Sequence, residues 1–65
     1  MKAAANEIIK KKRIEKGWSQ RELARQAGLS YNTIYKIEAN KVISPNLETY
    51  EKVCKALGIK ISHLL

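Results

Sequence analysis

The sequence predicts an all-α fold: a compact bundle of four to five short helices in a single domain spanning residues 1–65. Three observations point there. Apolar residues recur at spacings of three and four, and no useful stretch alternates apolar with polar, so helices are expected and a sheet is not. Gly17, Gly28, Gly58 and the single proline, Pro45, cut the chain into helix-sized pieces. A chain of 65 residues supports one small core and no deep cleft.

The elements follow in order. The first helix is expected over about 6–16, with Asn6 as its cap and Glu7 in its first turn. Ile9 and Arg13 lie four apart on its inner face, with Ile14 beside them. The second runs over 20–27. Ser19-Gln-Arg-Glu22 reads as a capping box, in which the serine oxygen accepts a backbone N–H and the glutamate reaches back. Leu23, Ala24 and Ala27 form its inner face, and Gly28 supplies the left-handed residue that ends it. The third helix follows Ser30, a second good cap, and spans 31–39, with Asn40 standing in for a terminal glycine. Residues 41–45 form a loop. The fourth spans 47–57, capped by Asn46 and ended by Gly58, and Leu47, Tyr50, Val53, Cys54 and Leu57 share one face. A last short helix over 61–65 could close on Ile61, Leu64 and Leu65, although Lys60 is no cap.

Charge narrows the function classes. The net charge is +7 and the isoelectric point about 9.8. Residues 1–41 hold ten Lys/Arg against four Glu, or +6, whereas residues 42–65 hold three against two, or +1. Such asymmetry points to a face that meets a polyanion. An anionic membrane fits poorly, because the lysine-bearing first helix has too small an apolar stripe. The single cysteine, Cys54, falls on a core face and can build neither an internal disulfide nor a metal cluster. No signal-like or membrane-spanning stretch occurs, so a cytoplasmic protein is expected. With no Asp and a lone His63, neither catalytic residues nor a metal or other cofactor is expected, and the chain does not read as an enzyme.

The octets on either side of Gly28 carry the sharpest signal. Neither is stable alone. Leu23, Ala27, Leu29, Ile34 and Ile37 all turn to one interior, Ala24 is small where two helices would cross, and the chain turns in Gly28-Leu29-Ser30. In this the chain resembles the phage-repressor-like (Cro/cI, XRE) helix-turn-helix family, through Gln20, Leu23, Ala24, Gly28, Leu29, Ile34, Ile37 and Glu38. The stretch SPNLETYEKVCKALGI resembles the family's fourth helix and its exit. The resemblance covers about residues 9–65 and implies a lambda-repressor-like DNA-binding domain. The implied function is a sequence-specific, double-stranded-DNA-binding transcriptional regulator, a repressor first of all, bound as a homodimer to an inverted-repeat operator. Helix 31–39 would read the major groove. A second reading, an antitoxin-like or scaffold protein-interaction module on the same fold, would use Trp18 and the C-terminal apolar residues.

At about 100° per residue, Ile34 and Ile37 point inward, so Asn32, Tyr35 and Lys36 point outward with Tyr31 and Thr33 on the flanks. Asn32 can pair bidentately with adenine, Thr33 can touch a thymine methyl, a tyrosine can stack on such a methyl or bond a phosphate, and Lys36 can reach a guanine edge or a phosphate. The resemblance implies base contact for Gln20, which in the family reaches over the start of the third helix, alongside Tyr31, Asn32, Thr33 and Lys36. It implies backbone contact for Ser19, Arg21, Tyr35, Asn40, Lys41 and Lys11, with Lys10, Lys12 and Lys16 adding to a salt-sensitive set. It also implies a structural ion pair between Arg13 and Glu38. The chain departs from the family at three points: Asn40 stands where a glycine is common, the loop before Pro45 is one residue longer than usual, which puts that loop's backbone contacts in question, and Lys12 replaces an apolar residue, so the first helix is expected to pack less tightly.

Overall fold

The computed structural model describes residues 4–42 and 46–64. It contains four α-helices, α1 (Ala5–Glu15), α2 (Gln20–Ala27), α3 (Tyr31–Glu38) and α4 (Leu47–Leu57), and a closing 3₁₀ turn, Ile61–Leu64. No strand occurs among the described residues. The helix limits fall within a residue of those read from the sequence, α1 and α3 each ending one residue early. The last element is a single tight turn rather than an α-helix, and residues 43–45 of the loop and Leu65 lie outside the described residues.

One residue row per helix builds the core. Ile9 of α1, Leu23 and Ala24 of α2, Ile34 and Ile37 of α3, and Val53 and Leu57 of α4 form a single buried cluster. Trp18, Leu29, Tyr50, Ile59 and Leu64 pack around it. Burying each large aliphatic side chain contributes about 1.5–3 kcal/mol, which is what holds helices too short to stand alone. Cys54 is also buried, and burial, with the Glu51 carboxylate adding to it, pushes its thiol pKa up and keeps it protonated.

All four helices end in the same way. At the end of α2 the Leu29 N–H donates to the Ala24 carbonyl (2.8 Å) and the Gly28 N–H to that of Arg25 (3.3 Å), with Gly28 at φ +69°. This is the Schellman closure. The same pair of bonds recurs after α1, α3 and α4, around Gly17, Asn40 and Gly58. Asn40 is the non-glycine member, at φ +57°. At the other ends, Ser19 Oγ accepts from Glu22 N, Ser30 Oγ from Thr33 N and Asn46 Oδ1 from Glu48 N.

Four local expectations need correction. Asn6 does not cap α1: the cap position is Ala4, without a side-chain bond, and the Asn6 amide instead donates to the Glu38 carbonyl at 3.4 Å. The helix starts at Ala5, so Asn6 lies inside its first turn, where its side-chain N–H serves α3 rather than the α1 end. Glu22 does not complete the capping box, because its carboxylate turns to Arg25 and Gln26, which hold its pKa below the usual value. Ile14 is 58 % exposed rather than inside. It lies about 140° around the helix from Ile9, whereas Arg13 lies about 40° from it. Leu47 is 61 % exposed, because the buried residues of α4, Val53, Cys54 and Leu57, all sit in its C-terminal half and the first turn projects past the core.

Candidate nucleic-acid interface

The interface candidates rest on a buried ionic knot at the foot of α3. The Glu38 side chain is 3 % exposed and that of Arg13 11 %. Arg13 Nε donates to Glu38 Oε2 at 2.7 Å and its Nη2 to Oε1 at 3.0 Å, a two-pronged pair. The third nitrogen, Nη1, donates to the Trp18 carbonyl at 2.7 Å. Gln20 Nε2 donates to Glu38 Oε1 at 3.1 Å. The knot joins α1, the α1–α2 turn, the first residue of α2 and the last of α3. It fixes the angle at which α3 stands on α2, and among the described residues no buried side-chain nitrogen or oxygen lacks a partner. Lys12 forms an exposed i,i+3 pair with Glu15.

Above this knot, α3 presents two rows, each spaced one turn apart. Asn32 and Lys36 form a polar row at the centre of its outward side, and both are exposed. Among the described residues the Asn32 amide makes no side-chain hydrogen bond, and the side chain is exposed. Tyr31 and Tyr35 form an aromatic row along one flank, each 41 % exposed, with ring centroids 6.4 Å apart. The Arg21 guanidinium sits over the Tyr31 ring at 4.7 Å, and Lys41 Nζ over Tyr35 at 5.7 Å. On the other flank Thr33 is half-buried, and its hydroxyl lies 2.9 Å from Ser30 Oγ within the cap. Among the described residues α3 carries one carboxylate, Glu38, and it is turned inward.

The structure therefore gathers Gln20, Arg21, Tyr31, Asn32, Tyr35, Lys36 and Lys41 around one helix. Gln20 is half-buried, with one N–H given to Glu38 and its carbonyl oxygen and second N–H remaining. Ser19 and Asn40 are exposed and act in the backbone geometry of the flanking turns. Lys11 is exposed on the side of α1 opposite Ile9, and no contact among the described residues ties it to the α3 rows. Sequence reading did not give the two cation–ring contacts. The i,i+4 spacing of Tyr31 and Tyr35 was a signal for the row, but nothing local points to Arg21 or Lys41 as its covers. Nor did it find that His63 Nδ1 accepts the Lys60 N–H at 3.0 Å, serving the closing turn as a side-chain cap. The three-residue spacing of a capping box was the available clue.

No described helix is long and apolar enough to cross a membrane. No group of three or more His, Cys, Asp or Glu side chains among the described residues could hold a metal ion.

Comparison with known proteins agrees with this geometry. The family model described as helix-turn-helix matches residues 9–64. The chain is similar to the HTH-type transcriptional regulator SinR of Bacillus subtilis (strain 168), with 39 % identity over 57 residues, which is 88 % of this chain and 51 % of that protein. SinR of Bacillus licheniformis matches to the same extent. A Neisseria hypothetical transcription factor from Neisseria meningitidis serogroup B is 43 % identical over 53 residues, 82 % of this chain and 49 % of that protein. The chain thus spans about half the length of the curated relatives it matches. No solved structure gives a significant match. With the two capped helices, the left-handed hinge at Gly28 and a family match that covers nearly all of the core, the chain belongs to the helix-turn-helix family, in its phage-repressor-like (Cro/cI, XRE) group.

Proposed function

We propose that the chain is the DNA-reading domain of a transcriptional regulator, a repressor first of all, that inserts α3 into the major groove of duplex DNA. The observation that carries this reading is the outward side of α3: exposed Asn32 and Lys36 beside an aromatic row, with its one carboxylate buried. A merely solvated helix of this length would gain from Glu–Lys pairs there. Asn32 pairs with adenine, Lys36 with a guanine edge or a phosphate, and Gln20, oriented by Glu38, reaches the same groove from the start of α2. The free N–H groups at the start of α2 and the side chains of Ser19, Arg21, Lys41 and Lys11 meet phosphates.

A single reading head of this size covers only roughly 600–1,000 Å² of protein surface and binds modestly alone. Two copies on an inverted repeat, with half-sites roughly 34 Å apart, would supply affinity and register. The names of the relatives support the regulatory reading. The protein-interaction alternative is less well supported, because Trp18 and Leu64, the surfaces it would use, both pack against the core.

The test is selection of bound duplexes from a random library at about physiological salt, where charge alone holds poorly. An enriched inverted repeat with centres one turn apart is expected. Absence of any enriched sequence would overturn the reading and favour the protein-interaction module.

A further inference from the structure

The aromatic row on α3 has no structural task that the core or caps require, since Tyr31 and Tyr35 are each 41 % exposed. Two large rings left in water cost hydration free energy unless something apolar covers them. One side of each ring is already occupied, by the Arg21 guanidinium at 4.7 Å and by Lys41 Nζ at 5.7 Å. These cations restrain the rings and place positive charge at both ends of the row. The ring planes are tilted by 35°, so the pair does not form a parallel slot for a flat base. What remains is a shallow apolar strip, about one helical turn long, bordered by Arg21, Lys36 and Lys41.

A surface of this kind excludes most ligands. The cations favour a polyanion, and the strip requires that polyanion to present small apolar groups at its surface. In the major groove of duplex DNA the group that meets this description is the C5-methyl of thymine. We propose that Tyr31 and Tyr35 act as one unit that reads pyrimidine C5-methyl groups, so that the protein distinguishes thymine from uracil and responds to 5-methylcytosine at the same positions. The proposal rests on the DNA-binding reading and deepens it. Asn32 and Lys36 read hydrogen-bonding edges, and the neighbouring tyrosine row reads methyl groups. It also moves Tyr35 from a phosphate contact to a base contact.

The experiment is a fluorescence-anisotropy titration of the selected duplex and of copies in which each thymine in turn is replaced by deoxyuridine, which removes only the methyl. Wild-type protein is expected to lose about fourfold in affinity at one or two thymines per half-site, the scale of one buried methyl group. Tyr31→Ser and Tyr35→Ser should each bind thymine and uracil duplexes alike at one of those positions. Tyr31→Phe and Tyr35→Phe should keep the discrimination. Because both residues are exposed, circular dichroism should show all four variants folded. If deoxyuridine is tolerated everywhere, or if Tyr35→Phe weakens binding to all duplexes equally, the tyrosines serve phosphates through their hydroxyls and the proposal is overturned. Failure to bind any duplex would instead overturn the DNA-binding reading itself, and this inference with it.

Discussion

Glu38 is a charged side chain almost wholly removed from water. Three N–H donors, two from Arg13 and one from Gln20, offset that desolvation. An ion pair so buried contributes little net stability compared with an apolar substitute, but breaking it is expensive because the remaining charge is stranded. Arg13→Ala is therefore expected to destabilise the fold by about 3–5 kcal/mol, a large share of what a small domain possesses. Gln20→Ala, which removes one of three bonds to the carboxylate, should cost about 1.5–3 kcal/mol. Urea unfolding followed by circular dichroism measures both, and an Arg13→Ala protein within about 1 kcal/mol of wild type would contradict the role given to the knot. The carboxylate and guanidinium were legible as a pair through family resemblance. The Trp18 carbonyl and the Gln20 amide were not, since a backbone acceptor and a flexible amide leave no pattern in a sequence.

The helices are defined more by their ends than by their propensities. Ser19, Ser30, Asn46, Gly28 and Gly58 were all readable, because a cap depends on residues within one turn of it. Asn6 and Leu47 were misplaced because their surroundings are tertiary: the α3 carbonyl that Asn6 meets and the end of the core that Leu47 overshoots. Ile14 was misplaced for a local reason, since helical geometry alone turns it away from Ile9. The left-handed closures give opposite predictions at two sites. A Cβ at Gly28 would meet no atom within 4 Å, so Gly28→Ala suffers conformational strain alone, about 1–2 kcal/mol. Asn40 already bears such strain at φ +57°, and Asn40→Gly is expected to stabilise by a few tenths to 1 kcal/mol. Thermal unfolding should separate the two variants by several degrees in opposite directions. A stabilised Gly28→Ala protein would contradict the hinge account.

At the scale of the molecule, charge and shape divide the labour of binding. In the proposed reading, the net charge of +7 gives a salt-dependent attraction that any duplex satisfies, and discrimination is assigned to α3. Lys41→Ala should weaken binding to all sequences and flatten the plot of log affinity against log salt by about one unit, measured by titration at several salt concentrations. An unchanged slope would remove Lys41 from the backbone contacts. The helical pattern made the helix-turn-helix legible. The packing of Arg21 and Lys41 onto the tyrosines was hidden, because each contact crosses a turn, at a spacing that no helical periodicity marks.

The central claim is that the exposed row of α3 reads sequence, and Asn32→Ala tests it most directly. Wild-type and variant proteins are titrated against the selected duplex and against every single-base change within one half-site. The account predicts that the variant loses preference at one base position, by the roughly 1–3 kcal/mol of an amide–adenine pair, and keeps it at the others. A uniform loss of affinity across all duplexes, or no change at any position, would contradict it.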